Sequence, residues 1–249
     1  MLEIKELITK NKTVLQNKKN EYIVIHYTGN PNTSAENNAK YFYSTRDKVS
    51  AHYVIDSKDI YMCVEENYQA WHVGGRPENG AYYVPFYQKC RNDNSIGIEL
   101  CCNGSLGDVI TYTPETISKA SELVSELMAK YHIPITKVIT HNMVTGKDCP
   151  RNFNIDNFRK EVSKVLELKD EIEILKADIS YLRKEIDSLK AQQKVYHYWS
   201  ELDDETYIIM KKLYDKGVYK GSSPSNLNLT EALRRNIVIN NRAGLYDKL

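Results

Sequence analysis

The sequence predicts an α/β domain followed by a coiled-coil helix and a small helical module. Two changes of periodicity along the 249 residues carry that division. Up to about residue 155, short β-branched and aromatic runs alternate with helix-spaced apolar residues, the pattern of strands and helices around one sheet. From Val165 a heptad takes over, and after Trp199 it breaks into two short helical stretches. The expected divisions are 1–157, 158–197 and 198–249.

Each element has its own signal. Tyr22–Tyr27 (YIVIHY) has the look of a buried strand. Residues 51–56 (AHYVID) and 60–64 (IYMCV) flank the polar turn Ser57-Lys58-Asp59 and predict a β-hairpin. Residues 95–101 (SIGIELC) and 135–140 (ITKVIT) predict two further strands. Between them, Thr113-Pro114-Glu115 is a helix start with Pro at the first position. Ile117, Ala120, Leu123, Val124 and Leu127 then recur at helical spacing, so the helix is expected over 114–130.

In the heptad, Val165, Leu168, Ile172, Leu175, Ile179, Leu182, Ile186 and Leu189 alternate steps of three and four. Val or Ile at a with Leu at d favours a parallel two-stranded coil. In a parallel pair Glu171 meets Lys176, Asp178 meets Arg183 and Glu185 meets Lys190. An antiparallel pair sets like charges against each other. An amphipathic helix lying on its own domain is the alternative, but it has no need of that charge order. In the tail, helices are expected over 206–214 and 230–240. Gly217 is the stop of the first, Gly221-Ser222-Ser223-Pro224 a loop, and Thr230 the cap of the second.

Composition excludes several classes. A net charge of +1 gives no electrostatic case for nucleic acid. Five cysteines (Cys63, Cys90, Cys101, Cys102 and Cys149) lack framework spacing, which argues against a disulfide scaffold. No apolar run is long enough to enter and span a bilayer. The opening MLEIKELITKNK has no signal-peptide h-region, so synthesis in a cytoplasm is expected. The 19 Tyr, against 4 Phe and 2 Trp, suit a wet sugar or peptide cleft, though compositional drift gives the same count.

His26 closes one predicted strand, His141 closes another, and Cys149 follows in Lys147-Asp148-Cys149-Pro150. Two imidazoles and a thiolate leave a fourth tetrahedral position open, the pattern of a catalytic zinc. Strand-end histidines and a small buried cysteine also fit an ordinary core. Glu99, within an apolar strand, is either a desolvated general base of raised pKa or a residue facing solvent by alternation. Lys147 is either an oxyanion partner or a solvated loop lysine.

The strings VIHYTGN, SAHYVID, AWHVGG, NSIGIEL and THNMVTGKDCP, in this order, span roughly residues 20–155. Together they resemble the type 2 N-acetylmuramoyl-L-alanine amidase family of autolysins, phage lysins and peptidoglycan-recognition proteins. The resemblance implies a mixed central sheet with flanking helices and Zn²⁺ held by His26, His141 and Cys149. It implies Glu99 as general base and Lys147 at the scissile carbonyl. His52 is expected to orient or contact the site, and His72 to contact substrate or make a structural hydrogen bond. Trp71 fits the core better than a stacking role, and Asn94 is expected to hold the loop beside Glu99. Some members carry a tyrosine before the histidine that matches His52; Ala51 stands there instead and leaves more to Glu99 and Lys147. Asp148 has no assigned part.

The substrate implied is peptidoglycan, cut between N-acetylmuramic acid and L-alanine. The order of catalytic domain, linker helix and tail resembles phage endolysins of Gram-positive hosts, where the second module binds the wall. On that likeness 198–249 is expected to take a secondary wall polymer, the coil making the anchor bivalent. The enzyme would reach the wall after release from the cytoplasm. The alternative, a recognition module without cleavage, usually lacks the cysteine ligand, which is present here.

Overall fold

The computed structural model describes residues 2–78, 84–105, 107–192, 194–220 and 226–247. The loop at 221–224 lies outside them. The chain forms two compact units, Met1–Asp170 and Glu171–Leu249. Through the first unit it runs β1 (Lys5–Glu6), β2 (Lys12–Thr13), β3 (Tyr22–Tyr27), α1 (Ala35–Ser44), β4 (Tyr53–Ile55), β5 (Ile60–Met62) and β6 (Gln69–Ala70). It continues through β7 (Ser95–Leu100), β8 (Asn103–Gly104), β9 (Ile110–Thr111), α2 (Pro114–Tyr131), β10 (Val138–Thr140) and α3 (Asn142–Thr145) into α4 (Ile155–Gln192).

Six strands make the central sheet, in the order β1-β5-β4-β7-β3-β10. It is mixed: β4 and β5 form an antiparallel hairpin, while β4–β7, β7–β3 and β3–β10 are parallel. The hairpin turns on Asp56, whose Oδ1 accepts from the backbone of Lys58 and Asp59, both at 2.7 Å.

Alternation along each strand divides the faces. Ile23, Ile25, Ile96, Ile98 and Leu100 point into the main core, against Leu123, Val124 and Leu127 of α2 and Phe158 and Val162 of α4. On the other face Tyr22 and Val24 pack with Val73, Cys90, Ile139 and Val144. His26 and Glu99 share that second face, two residues beyond Val24 and Gly97.

α2 begins as its sequence indicates, with Pro114 in the first turn and Thr113 Oγ1 accepting from the Thr116 amide at 3.2 Å. The strand expected over 135–140 is shorter. Pro134 is followed by a 3₁₀ turn, Ile135–Lys137, closed by the Lys137 amide on the Pro134 carbonyl at 2.8 Å. Only Val138–Thr140 pairs with β3.

The first unit also extends past the expected boundary at 157. Phe158 and Val162 are fully buried and Leu166 packs beside them, a spacing of four that puts one stripe of α4 on the core. The heptad residues Leu168, Ile172, Leu175, Ile179, Leu182, Ile186 and Leu189 are all exposed on the chain by itself.

In the second unit, α5 (Asp204–Asp215) is capped by Asp203, and α6 (Glu231–Arg242) by Thr230. Gly217, at φ 70°, provides the left-handed stop after α5. Ile209, Met210, Leu213, Leu227, Leu229 and Ile237 form its small core. Glu231 is buried but fully partnered, by Tyr196 at 2.7 Å and by Arg234 and Arg235 at 2.8 Å.

Phe158→Ala should destabilise the first unit by about 3–5 kcal/mol, the usual result of emptying a buried phenylalanine site. Ile174→Ala, on an exposed part of the same helix, should stay within about 0.5 kcal/mol. Denaturant titration read through Trp71 fluorescence in a Trp199→Phe background measures both; equal effects would place Phe158 outside the core.

Candidate active site

Because β3 lies parallel to both β7 and β10, three strand ends meet at one edge of the sheet. His26 is the register partner of Glu99. His141 follows Thr140, and its amide donates to the Ile25 carbonyl at 3.2 Å. The carboxyl ends of parallel strands are where open α/β sheets hold their ligands. Cys149 returns to this edge because α3 is a single turn ended by Gly146 at φ 78°. The Asn142 amide then ties the returning chain to the Cys149 carbonyl at 2.8 Å.

One donor atom from each of His26, His141 and Cys149 lies within 4.8 Å of the others, and all three residues are buried. Cys149 Sγ is 3.7 Å from His26 Nδ1. Tetrahedral zinc bonds of ~2.3 Å to sulfur and ~2.0 Å to nitrogen set those two donors about 3.5 Å apart. The rings of His26 and His141 meet edge to face, 4.8 Å between centroids.

Electrostatics point the same way. Burial holds His26 well below the ordinary histidine range, and burial with the Lys147 charge holds His141 down at about 4. Both are neutral donors at physiological pH. Burial, with Glu99 adding to it, pushes the Cys149 thiol up to about 12. A thiolate at that place therefore needs a cation beside it, and a coordinated thiol is deprotonated outright.

Glu99 keeps a window to the edge of the sheet, yet its Oε2 is sealed and has no hydrogen-bond partner among the described residues. Burial pushes its carboxyl up to about 8, against the pull of Lys147. Lys147 is exposed, and its charge acts on His26, His141, Cys149 and Glu99 alike. Two neutral imidazoles, a thiol and an unpartnered carboxylate oxygen make a donor set that suits a divalent metal ion. Asp148 pairs with Arg151 at 2.7 Å.

His52, His72 and Asn94, the further residues that the resemblance sets at or beside the site, lie at different depths in the unit. His72 lies behind His26, its Nδ1 at 3.0 Å from His26 Nε2 and its Nε2 at 3.2 Å from Ser95 Oγ. Both ring nitrogens are engaged within the protein. His52 is fully buried one layer further in; its Nδ1 accepts from the Gly97 amide at 3.0 Å. Asn94 sits at the opposite end of β7 from Glu99. Its side chain closes its own turn, accepting from the Arg91 amide at 2.7 Å and donating to the Lys89 carbonyl at 2.9 Å. Trp71 is half-buried, its Nε1 donating to Thr13 Oγ1 at 3.0 Å.

Two residues near the site escaped the sequence. Asn92 Oδ1 accepts from the amides of His72 and Val73, at 3.0 and 2.8 Å. Nothing in RNDN separates it from Asn94. Lys18 stands with Nζ 3.0 Å from His52 Nε2 and donates to the carbonyls of Glu66 and Ser95, at 3.1 and 2.9 Å. In the run NKKN it looks like any solvated loop lysine.

Fold and site together define an α/β domain with two imidazoles and one thiol gathered at one sheet edge, a donor set that could hold a metal ion. The sequence profile of the N-acetylmuramoyl-L-alanine amidase family matches residues 16–152, more than half of the chain, and the chain belongs to that family. It is 34% identical over 154 residues to the N-acetylmuramoyl-L-alanine amidase CwlL of Bacillus licheniformis, covering 58% of this chain and 41% of the relative. It is 32% identical over 132 residues to the amidase XlyA of Bacillus subtilis (strain 168), covering 52% and 39%. The match thus spans about two fifths of these curated relatives. Among solved structures, PlyL superposes with a TM-score of 0.52 at 27% identity, over 65% of this chain and 97% of PlyL. The catalytic domain of XlyA gives 0.51 at 26%, over 65% and 99%.

Lys18 generates a pH prediction. Burial holds its ammonium down at about 7, with the charges of Glu66 and Asp93 pulling upward. Between that value and the unfolded one, about 10.4, the unfolded chain binds more protons, so stability contributed by this group rises with pH. The stability of the wild type minus that of Lys18→Met should therefore grow from pH 7 to pH 10 and stay flat below 7. The subtraction cancels the buried thiols and tyrosines that titrate in the same range. A difference that stays constant across the window would mean that Lys18 is solvated.

Proposed function

We propose that the chain is a zinc-dependent N-acetylmuramoyl-L-alanine amidase that cuts stem peptides from the glycan of peptidoglycan, as a wall-lytic endolysin. The observation that carries this is the convergence of His26, His141 and Cys149 beside Glu99 at one sheet edge. Family membership supplies the substrate class. Two nitrogens and one sulfur suit Zn²⁺ over the hard cations, and three protein donors are the number found in catalytic zinc sites. When bound, the ion supplies Lewis acidity, polarising the lactyl amide carbonyl and acidifying water.

The chain's own groups do the rest. Glu99 accepts a proton from the attacking water as its oxygen bonds to the carbonyl carbon. It returns that proton to the alanine nitrogen as the C–N bond breaks, so one carboxyl acts as base and then as acid. A carboxyl poised between burial, which favours the acid, and nearby positive charge, which favours the carboxylate, suits both halves of that cycle. Lys147, exposed at the rim, sets its ammonium toward the developing oxyanion. The Cys149 ligand and Glu99 together weigh against a recognition module without cleavage.

α4 and the second unit extend the proposal. The exposed seam from Leu168 to Leu189, with its g-to-e charge order, supports a parallel homodimer through a second copy of the helix. The second unit is assigned a wall polymer as ligand, doubled by the dimer into a bivalent anchor.

Digestion of purified Gram-positive walls should release stem peptides with a free L-alanine amino terminus, seen by mass spectrometry. A zinc chelator should abolish the release and added Zn²⁺ restore it. Glu99→Gln should lower the rate by about 10²- to 10⁴-fold while the protein still binds metal. Intact walls from several species with a metal-loaded protein would refute the assignment. In sedimentation equilibrium the full chain should run as a dimer and Ile179→Asp as a monomer; a monomeric wild type would remove the coil from the account.

A further inference from the structure

Behind His26, on the side away from Cys149, lies a row of polar groups that the hydrolysis does not use. His26 Nε2 stands 3.0 Å from His72 Nδ1, His72 Nε2 stands 3.2 Å from Ser95 Oγ, and Ser95 Oγ stands 2.5 Å from the Arg91 carbonyl oxygen. The row ends on an atom with one option, because a peptide carbonyl only accepts. Ser95 commits its single proton there, so its oxygen faces His72 as an acceptor. His72, a neutral imidazole with one N–H and one bare nitrogen, must then donate from Nε2 and accept at Nδ1. His26 must in turn donate from Nε2. That leaves His26 Nδ1 without a proton, its lone pair facing the Cys149 thiol at 3.7 Å.

We infer that Ser95 and His72 are positioning residues that set the tautomer and ring orientation of His26, so that its Nδ1 is held as a ready donor for a divalent cation. The inference rests on the proposed metal role of His26, His141 and Cys149, and it concerns only how the protein prepares one of those donors.

The seat of His72 is built for this. The ring lies directly on Gly97, where an added Cβ would come within 2.5 Å of its Cγ and 2.6 Å of its Nδ1. No other residue leaves room for an imidazole at that point of β7. Below the ring, the Gly97 amide donates to His52 Nδ1 at 3.0 Å, and the rings of His52 and His72 meet edge to face at 5.6 Å. The His72 backbone is pinned as well, its amide and that of Val73 sharing Asn92 Oδ1. Ser95 is fully buried, so its hydroxyl cannot turn to solvent, and the short contact to the Arg91 carbonyl takes its proton in preference to its other neighbour, Cys90. Such partners of a ligating histidine change metal affinity by about 10- to 100-fold when removed.

The test uses the full metal-free chain labelled with ¹⁵N-histidine. Long-range ¹H–¹⁵N spectra should report His26 and His72 as neutral Nε2–H tautomers. In Ser95→Ala, His72 should redistribute between tautomers and His26 should follow. Competition with a chromogenic chelator should then show Zn²⁺ bound about 10- to 100-fold more weakly by Ser95→Ala and by His72→Phe. His72→Gln, whose amide can accept from His26 and donate to Ser95, should recover most of that affinity, which mere space-filling would not do. An Nδ1–H tautomer for His26, or wild-type Zn²⁺ affinity in Ser95→Ala, would overturn the inference. A wild type that binds no Zn²⁺ would instead refute the metal role, and the tautomer spectra alone would then decide whether the relay exists.

Discussion

Parallel pairing of β3 with β7 on one side and β10 on the other is the constraint from which the rest of the site follows. It sets His26 against Glu99 as register partners and brings His141 one step beyond Ile25's neighbour. Because side chains alternate along a strand, a slip of one residue would turn His26 and Glu99 into the main core and their apolar neighbours out of it. The core forbids that slip. Ile23, Ile25, Ile96 and Ile98 are fully buried on the far face, so the packing of the hydrophobic side fixes the chemistry of the polar side.

Electrostatically the edge is balanced against isolated charge. Burial lowers the histidines, raises the Cys149 thiol and raises Glu99, so each group alone prefers its neutral form. A divalent cation held by the three donors would reverse the preference for Cys149 and for Glu99 together. Lys147 contributes in the same sense toward both. The protein thereby holds its donors uncharged, and it has reason to control which nitrogen of each ring carries the proton. The row from His26 through His72 and Ser95 to a backbone carbonyl answers that need for one ligand.

Much of this was legible in the residues. The β-branched run of β3, the hairpin around Asp56 and the Thr113-Pro114 helix start are local signals, and local physics decided them. His26, His141 and Cys149 were legible as strand-end and loop residues, and the fold brings their donor atoms within 4.8 Å of one another. What stayed hidden depends on long-range packing. The linear order cannot say that His72 will lie on Gly97 or that His52 will be buried beside it, so it leaves open whether each contacts substrate or supports the site. Asn92 and Asn94 differ only in which amides the loop presents to them. α4 runs without a break across the expected boundary at 157. Its early residues Phe158, Val162 and Leu166 serve the domain core, and the heptad residues from Leu168 onward are exposed.

The central claim is that His26, His141 and Cys149 together hold one metal ion. X-ray absorption of the zinc-loaded protein tests it most directly. The account predicts one zinc per chain with a single sulfur scatterer at about 2.3 Å and a nitrogen or oxygen shell at about 2.0–2.1 Å. The sulfur should vanish in Cys149→Ser. A shell of nitrogen and oxygen alone in the wild type, or a sulfur signal that survives Cys149→Ser, would contradict it.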